Sequence, residues 1–139
     1  MDQAEIRLGD VTVHATFLND LAPQTVAAFK TALPLQGTAR HAKWCGPCFY
    51  LALTGTALNK VAKVENRIHL MPPGSIVWSP ELTELFVVYD DARLYNGAVG
   101  GLYGTLLAEI EGDVSELAKE AFRMREAGAK PLSFKLATR

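Results

Sequence analysis

The sequence predicts a mainly β protein with two helices, its strands rolled into a closed or nearly closed antiparallel barrel. Three observations carry this expectation. Hydrophobic alternation of period two opens and closes the chain, only two segments carry helical spacing, and neither helix sits as a regular crossover between strands, which disfavours a parallel doubly wound sheet. The 139 residues, 49% hydrophobic and 21% charged, suffice to close one core as a single domain over residues 1–139 without metal or disulfide staples.

At residues 11–17, Val11, Val13, Ala15 and Phe17 alternate with Thr12, His14 and Thr16, the pattern of a half-buried strand. Residues 6–8 pair with it through Gly9-Asp10, a dipeptide suited to a tight hairpin. Pro23 fits the first turn of a helix whose apolar positions Val26, Phe29, Ala32 and Leu33 recur at helical spacing until Pro34. Between Thr38 and Trp78, Gly46, Pro47, Gly55, Pro72, Pro73 and Gly74 break any long periodicity, so short strands and loops are expected. Residues 75–79 and 85–89 are apolar runs rich in β-branched or aromatic side chains and read as strands. The glycine-rich stretch 95–104 reads as a loop feeding a strand over 105–110. Asp113 and Glu116 have the spacing of a capping box, opening a helix with Val114, Leu117, Ala118, Ala121 and Met124 on its apolar stripe. Gly128 and Pro131 end it, and Leu132, Phe134 and Leu136 alternate in a closing strand.

Fourteen basic residues against fifteen acidic ones leave a net charge of -1, too little to gather nucleic acid or anionic lipid. The first five residues lack the basic and apolar regions of a signal peptide, and no apolar run reaches membrane-spanning length. The expectation is a cytoplasmic protein with no nucleic-acid or membrane partner. Two cysteines make no disulfide framework; in a reducing compartment a close pair is redox-active, metal-bound or incidental.

Trp44-Cys45-Gly46-Pro47-Cys48 resembles the thioredoxin active-site pentapeptide. The resemblance implies Cys45 as nucleophile and Cys48 as resolver, with a helix N-terminus lowering the first thiol pKa. That mechanism needs a buried strand before the motif and a helix after it. Residues 38–43 carry two charges and a histidine, Thr54-Gly55-Thr56 interrupts any helix downstream, and Pro72 and Pro73 follow too closely for the proline that faces such cysteines. The cysteines are therefore read as small residues beside a Gly-Pro turn, with a thiol-disulfide oxidoreductase using Cys45 and Cys48 as the alternative. His41 extends the set to His-x3-Cys-x2-Cys, but no fourth local ligand completes a structural zinc site, so neither metal nor cofactor is expected.

Asp20-Leu21-Ala22-Pro23-Gln24-Thr25-Val26-Ala27-Ala28-Phe29 resembles the cyclophilin signature, in which an acidic residue precedes Ala-Pro-x-Thr-Val-x-x-Phe. The resemblance implies a cyclophilin-like β-barrel. It does not extend to prolyl isomerase activity, because the family's Phe-His-Arg and Gln-Gly-Gly-Asp elements are absent and Arg40-His41 has the reverse order. Leu33-Pro34 and His41-Ala42-Lys43-Trp44-Cys45-Gly46 resemble more closely a pattern in small bacterial cyclophilin-like proteins of unassigned function.

A small barrel holds a ligand at a mouth or on one face, where a few polar groups meet aromatic walls. The candidates are His41, Trp44, Cys45, Tyr50, Trp78, Tyr95 and Tyr103. Trp44, Tyr50, Trp78, Tyr95 and Tyr103 would line the binding surface, though tryptophans and tyrosines also pack cores and rims. Cys45 with His41 as its base would be the catalytic pair, although two positions four apart on a strand meet only across a bend. The expected function is binding of a small-molecule ligand, with hydrolysis or isomerisation of a small metabolite as the chemistry and room for a homo-oligomer.

Overall fold

The computed structural model describes residues 2–137. Strands β1 (Gln3–Leu8) and β2 (Val11–Phe17) form the opening hairpin, with Ile6 opposite Val13 and Leu8 opposite Val11. Gly9, at φ +56, makes the turn that a side chain would resist. Helix α1 (Pro23–Ala32) starts on its proline, and a cis Leu33-Pro34 bond precedes β3 (Leu35–His41). After the pentapeptide come β4 (Cys48–Ala52), a 3-10 turn (Ala57–Lys60), and the short strands β5 (Arg67–Ile68) and β6 (Leu70–Met71). The hairpin β7 (Ser75–Ser79) and β8 (Glu84–Val88) leads to β9 (Ala92–Arg93), β10 (Tyr95–Asn96) and β11 (Gly100–Gly101). Strand β12 (Gly104–Ile110), helix α2 (Ser115–Ala127) and β13 (Lys130–Leu136) complete the described chain.

Eight strands close a barrel in the order β2-β1-β13-β3-β4-β8-β7-β12, and β12 returns to β2 through Ala108 opposite Phe17. Every pairing is antiparallel, so the expected mainly β barrel with two helices is what forms. Closure removes the sheet edges that would otherwise invite pairing with another chain.

The interior is filled by one side of each strand: Ile6, Leu8, Phe17, Phe49, Leu51, Ile76, Trp78, Leu85, Val87 and Phe134 all belong to one buried cluster. Phe29 from α1 enters this cluster edge-on between Phe17 and Phe134, its ring centroid 5.8 Å from each. Helix α2 covers β1, β2 and β3 with Leu117, Ala121 and Met124. The first turn of α1 has no side-chain cap of its own. Glu65 supplies one from a distant loop, accepting from the Thr25 amide and hydroxyl at 2.8 Å each.

The capping box expected at Asp113 and Glu116 is not formed. Asp113 accepts instead from the Ser115 amide at 3.0 Å in a local turn, the helix begins at Ser115, and Glu116 pairs forward with Lys119. The segment before the pentapeptide is a strand after all. In β3 only Ala39 is fully buried, and the charged and polar residues that obscure it occupy the outer face.

A second, smaller core lies on the opposite side of β4, β7 and β8. Cys48, Val77, Phe86 and Val88 point away from the interior and pack with Cys45, Met71, Leu94 and Leu102. The short pairs β6–β9 and β10–β11 form the roof over this face. Gly104 has no room for a side chain, since a Cβ there would sit 2.6 Å from Val77 Cγ1.

Candidate functional site

The pentapeptide is the corner between β3 and β4. Gly46 takes φ +99, and the Cys48 amide donates to Gly46 O at 2.8 Å, which folds the chain back so that both cysteines enter the outer core. Arg93 N–H donates to Cys45 O at 3.1 Å, and Tyr89 N–H to Pro47 O at 3.0 Å. The corner is thereby tied to the roof on one side and to the end of β8 on the other. No helix follows Cys48, so the cysteines lie at a strand corner of an antiparallel barrel and no helix dipole acts on them.

Beside this corner a cleft of about 90 Å³ is lined by Lys43, Trp44, Cys45, Tyr50, Glu84, Phe86, Tyr95 and Asn96. The register explains the grouping. Tyr50 and Phe86 are direct cross-strand partners on the outer face of β4 and β8, their rings 5.7 Å apart, and Glu84 is two residues back on the same face. The roof supplies Tyr95. Trp44 is 55% exposed and leans on Gly97, where a Cβ would fall 2.9 Å from three of its ring atoms. Only a glycine allows the tryptophan to lie there.

Glu84 is half-buried, and among the described residues no basic group pairs with it. Burial pushes its carboxyl above the usual glutamate range. Cys45 is 5% exposed and Cys48 fully buried. Cys45 Sγ accepts from the Tyr95 amide at 3.5 Å, and its thiol donates to Tyr95 O at 3.2 Å. The neighbouring Cys48 thiol, the Tyr95 amide and Arg93 draw the Cys45 thiol below its usual pKa although burial and Glu84 oppose the shift. The neighbouring Cys45 thiol, with burial, pushes the Cys48 thiol up.

Of the residues singled out in the sequence, Trp44, Cys45, Tyr50 and Tyr95 meet at this cleft. His41, Trp78 and Tyr103 do not. Both ring nitrogens of His41 are engaged, Nδ1 with Ala42 O at 2.9 Å and Nε2 with the Tyr89 hydroxyl at 2.6 Å, so no hydrogen bond joins it to Cys45. It borders a separate cleft with Tyr89, Asp90, Phe122 and Arg125, and burial lowers its pKa. The corner that brings Cys45 to Cys48 carries Cys45 off the strand face it would have shared with His41. Trp78 is fully buried in the barrel interior, its indole N–H without an acceptor among the described residues. Tyr103 is 57% exposed and packs against His69 and Arg67 on the roof. Among the described residues no group of three or more His, Cys, Asp or Glu is placed to hold a metal ion, and no helix is long and apolar enough to cross a membrane.

Glu84, Phe86 and Gly97 were missed in the sequence. The signal for the first two was there: residues 85–89 are apolar without alternation, as a strand is when both its faces are covered.

Comparison with known proteins places the chain among barrels of this kind. The profile of a family described as a protein of unknown function (DUF3830) matches residues 5–136. No curated protein matches. Among solved structures, that of McbB in complex with tryptophan superposes with a TM-score of 0.75 at 14% identity, covering 96% of this chain and 44% of that one. The chain thus spans less than half the length of McbB. The solution structure of the hypothetical protein AF2241 from Archaeoglobus fulgidus gives a TM-score of 0.67 at 17% identity, covering 98% of this chain and 95% of that one. At these identities the likeness is one of fold.

Proposed function

The chain belongs to the DUF3830 family, and from that premise we propose that it is a small-molecule-binding, cyclophilin-like barrel protein whose ligand is a ring-bearing amine held in the outer-face cleft. One observation carries the reading: an unpaired, half-buried carboxylate, Glu84, set among the aromatic side chains of Trp44, Tyr50, Phe86 and Tyr95. Aromatic walls favour a flat apolar ring, and Trp44 and the tyrosines also attract a cation by their ring faces. A buried carboxylate without a partner is unfavourable until a cation or N–H donor reaches it. The cleft, at about 90 Å³, is small beside the several hundred Å³ of drug-sized sites, which supports a compact aromatic metabolite rather than a peptide. The tryptophan bound by McbB, itself an aromatic amine, agrees with this class and supplies a probe.

Cys45 and Glu84 are the groups through which hydrolysis or isomerisation of a bound metabolite would run. The near-neutral charge supports a cytoplasmic protein without a nucleic-acid partner. Calorimetric titration with tryptamine, L-tryptophan and indole tests the reading. Tryptamine should bind, indole about tenfold or more weakly, and Glu84→Gln should abolish the difference. Equal binding of indole and tryptamine, or no binding of any, rejects it.

A further inference from the structure

A second feature beside the cleft stands apart from the amine site. Cys45 borders two openings. One is the aromatic cleft; the other is a wider groove of about 560 Å³ lined by Gly46, Pro47, Leu70, Met71 and the oppositely charged Asp91 and Arg93. Behind Cys45, fully covered in the outer core, lies Cys48. The corner at Gly46-Pro47 turns both cysteines into one outer-core cluster, one bordering the openings and one behind.

We propose that Cys45 and Cys48 are a dithiol–disulfide couple toward low-molecular-weight disulfides, with Cys45 attacking and Cys48 resolving. The role split follows from position. Cys45 borders both openings and accepts from the Tyr95 N–H, while Cys48 lines neither and burial holds its proton. In the first step the Cys45 thiolate attacks one sulfur of R–S–S–R. The S–S bond breaks, R–S⁻ leaves and takes the Cys48 proton as R–SH, and Cys45–S–S–R remains. In the second step the Cys48 thiolate attacks Cys45 Sγ and expels the second R–S⁻, which water protonates. Two electrons pass from the protein dithiol to the substrate disulfide, and the protein ends with a Cys45–Cys48 bond. Excess small thiol returns it to the dithiol by the reverse exchange.

Size selects the substrate. A thiol 5% exposed is reached by a molecule that enters the groove, not by a disulfide on a folded partner. The groove has an apolar floor of Leu70, Met71 and Pro72, and Arg93 and Asp91 both line it, so it admits a small disulfide without selecting one by charge.

Oxidised glutathione is the probe. The reduced full chain is incubated with it, quenched in acid, and read by intact mass and peptide mapping. Wild type should form the Cys45–Cys48 disulfide, Cys48→Ala should trap glutathione on Cys45, and Cys45→Ala should react about tenfold or more slowly than either. Circular dichroism and the rate of iodoacetamide labelling in native and denaturing buffer establish that each variant is folded. If Cys48→Ala does not fold, limiting iodoacetamide on wild type replaces it, and Cys45 should be labelled first. A stable glutathione adduct in wild type, labelling of Cys48 before Cys45, or a dithiol that stays reduced overturns the couple. Insulin reduction above background overturns the restriction to small disulfides. Amine titration and glutathione exchange are both read on wild type, so absent amine binding with exchange intact counts against the amine site alone, and absent exchange with amine binding intact counts against the couple alone.

Discussion

Glu84 concentrates what a single residue contributes here. Its folded pKa is raised, so between the unfolded and folded values the native chain holds a proton that the unfolded chain has released. Stability therefore falls as pH rises through that window, and the penalty is complete above it. Glu84→Gln should raise the melting temperature at pH 7 and leave it unchanged in acid, while weakening amine binding; equal melting shifts at both pH values would show that burial of the charge is not the cause. Gly97 makes the complementary case. Gly97→Ala puts a methyl 2.9 Å from the Trp44 ring, and the exposed tryptophan is the partner able to move. The variant should fold as wild type, with Trp44 fluorescence shifted to longer wavelength and amine affinity reduced several-fold. An unchanged spectrum and affinity would detach Trp44 from the site.

At the scale of elements, the hairpin, both helices and the strands over 75–79, 85–89, 105–110 and 132–136 could be read from alternation, helical spacing and turn residues. Strands β3 and β4 could not, because β3 buries only Ala39 fully and carries Gln36, Thr38 and Arg40 outward. The cap of α1 was equally hidden, since Glu65 lies forty residues from Thr25. Glu65→Ala should cost about 1 kcal/mol, measured by urea unfolding. Burial opposes its ionisation, but the Thr25 amide and hydroxyl and the Gln24 amide outweigh burial and hold its pKa down. Its contribution is therefore present above the unfolded pKa and lost as pH falls through the folded one. A mutant difference that persists in strong acid would mean the carboxylate is not the source.

The whole molecule has a barrel filled by one face of its strands and the proposed site on the other. Phe29 bridges Phe17 and Phe134 in the interior, so Phe29→Ala should cost about 3–5 kcal/mol in chemical unfolding, far more than Gly97→Ala on the roof. The pentapeptide is followed by a strand and not by a helix, as the residues around it implied, and it forms the corner beside the cleft. Trp44 and Cys45 reach the cleft from that corner, while Tyr50 and Tyr95 arrive from β4 and the roof, a convergence that only barrel register produces.

The two tryptophans make the direct test. Trp44 stands at the cleft, 55% exposed, and Trp78 is sealed in the interior at 0%. In a nitrogen–proton NMR spectrum of the labelled protein they give two indole signals, assigned by Trp44→Phe. Titration with unlabelled tryptamine should move the Trp44 signal with saturation and leave that of Trp78 in place. Movement of Trp78 alone, or of neither, would contradict a ligand site on the outer face of the barrel.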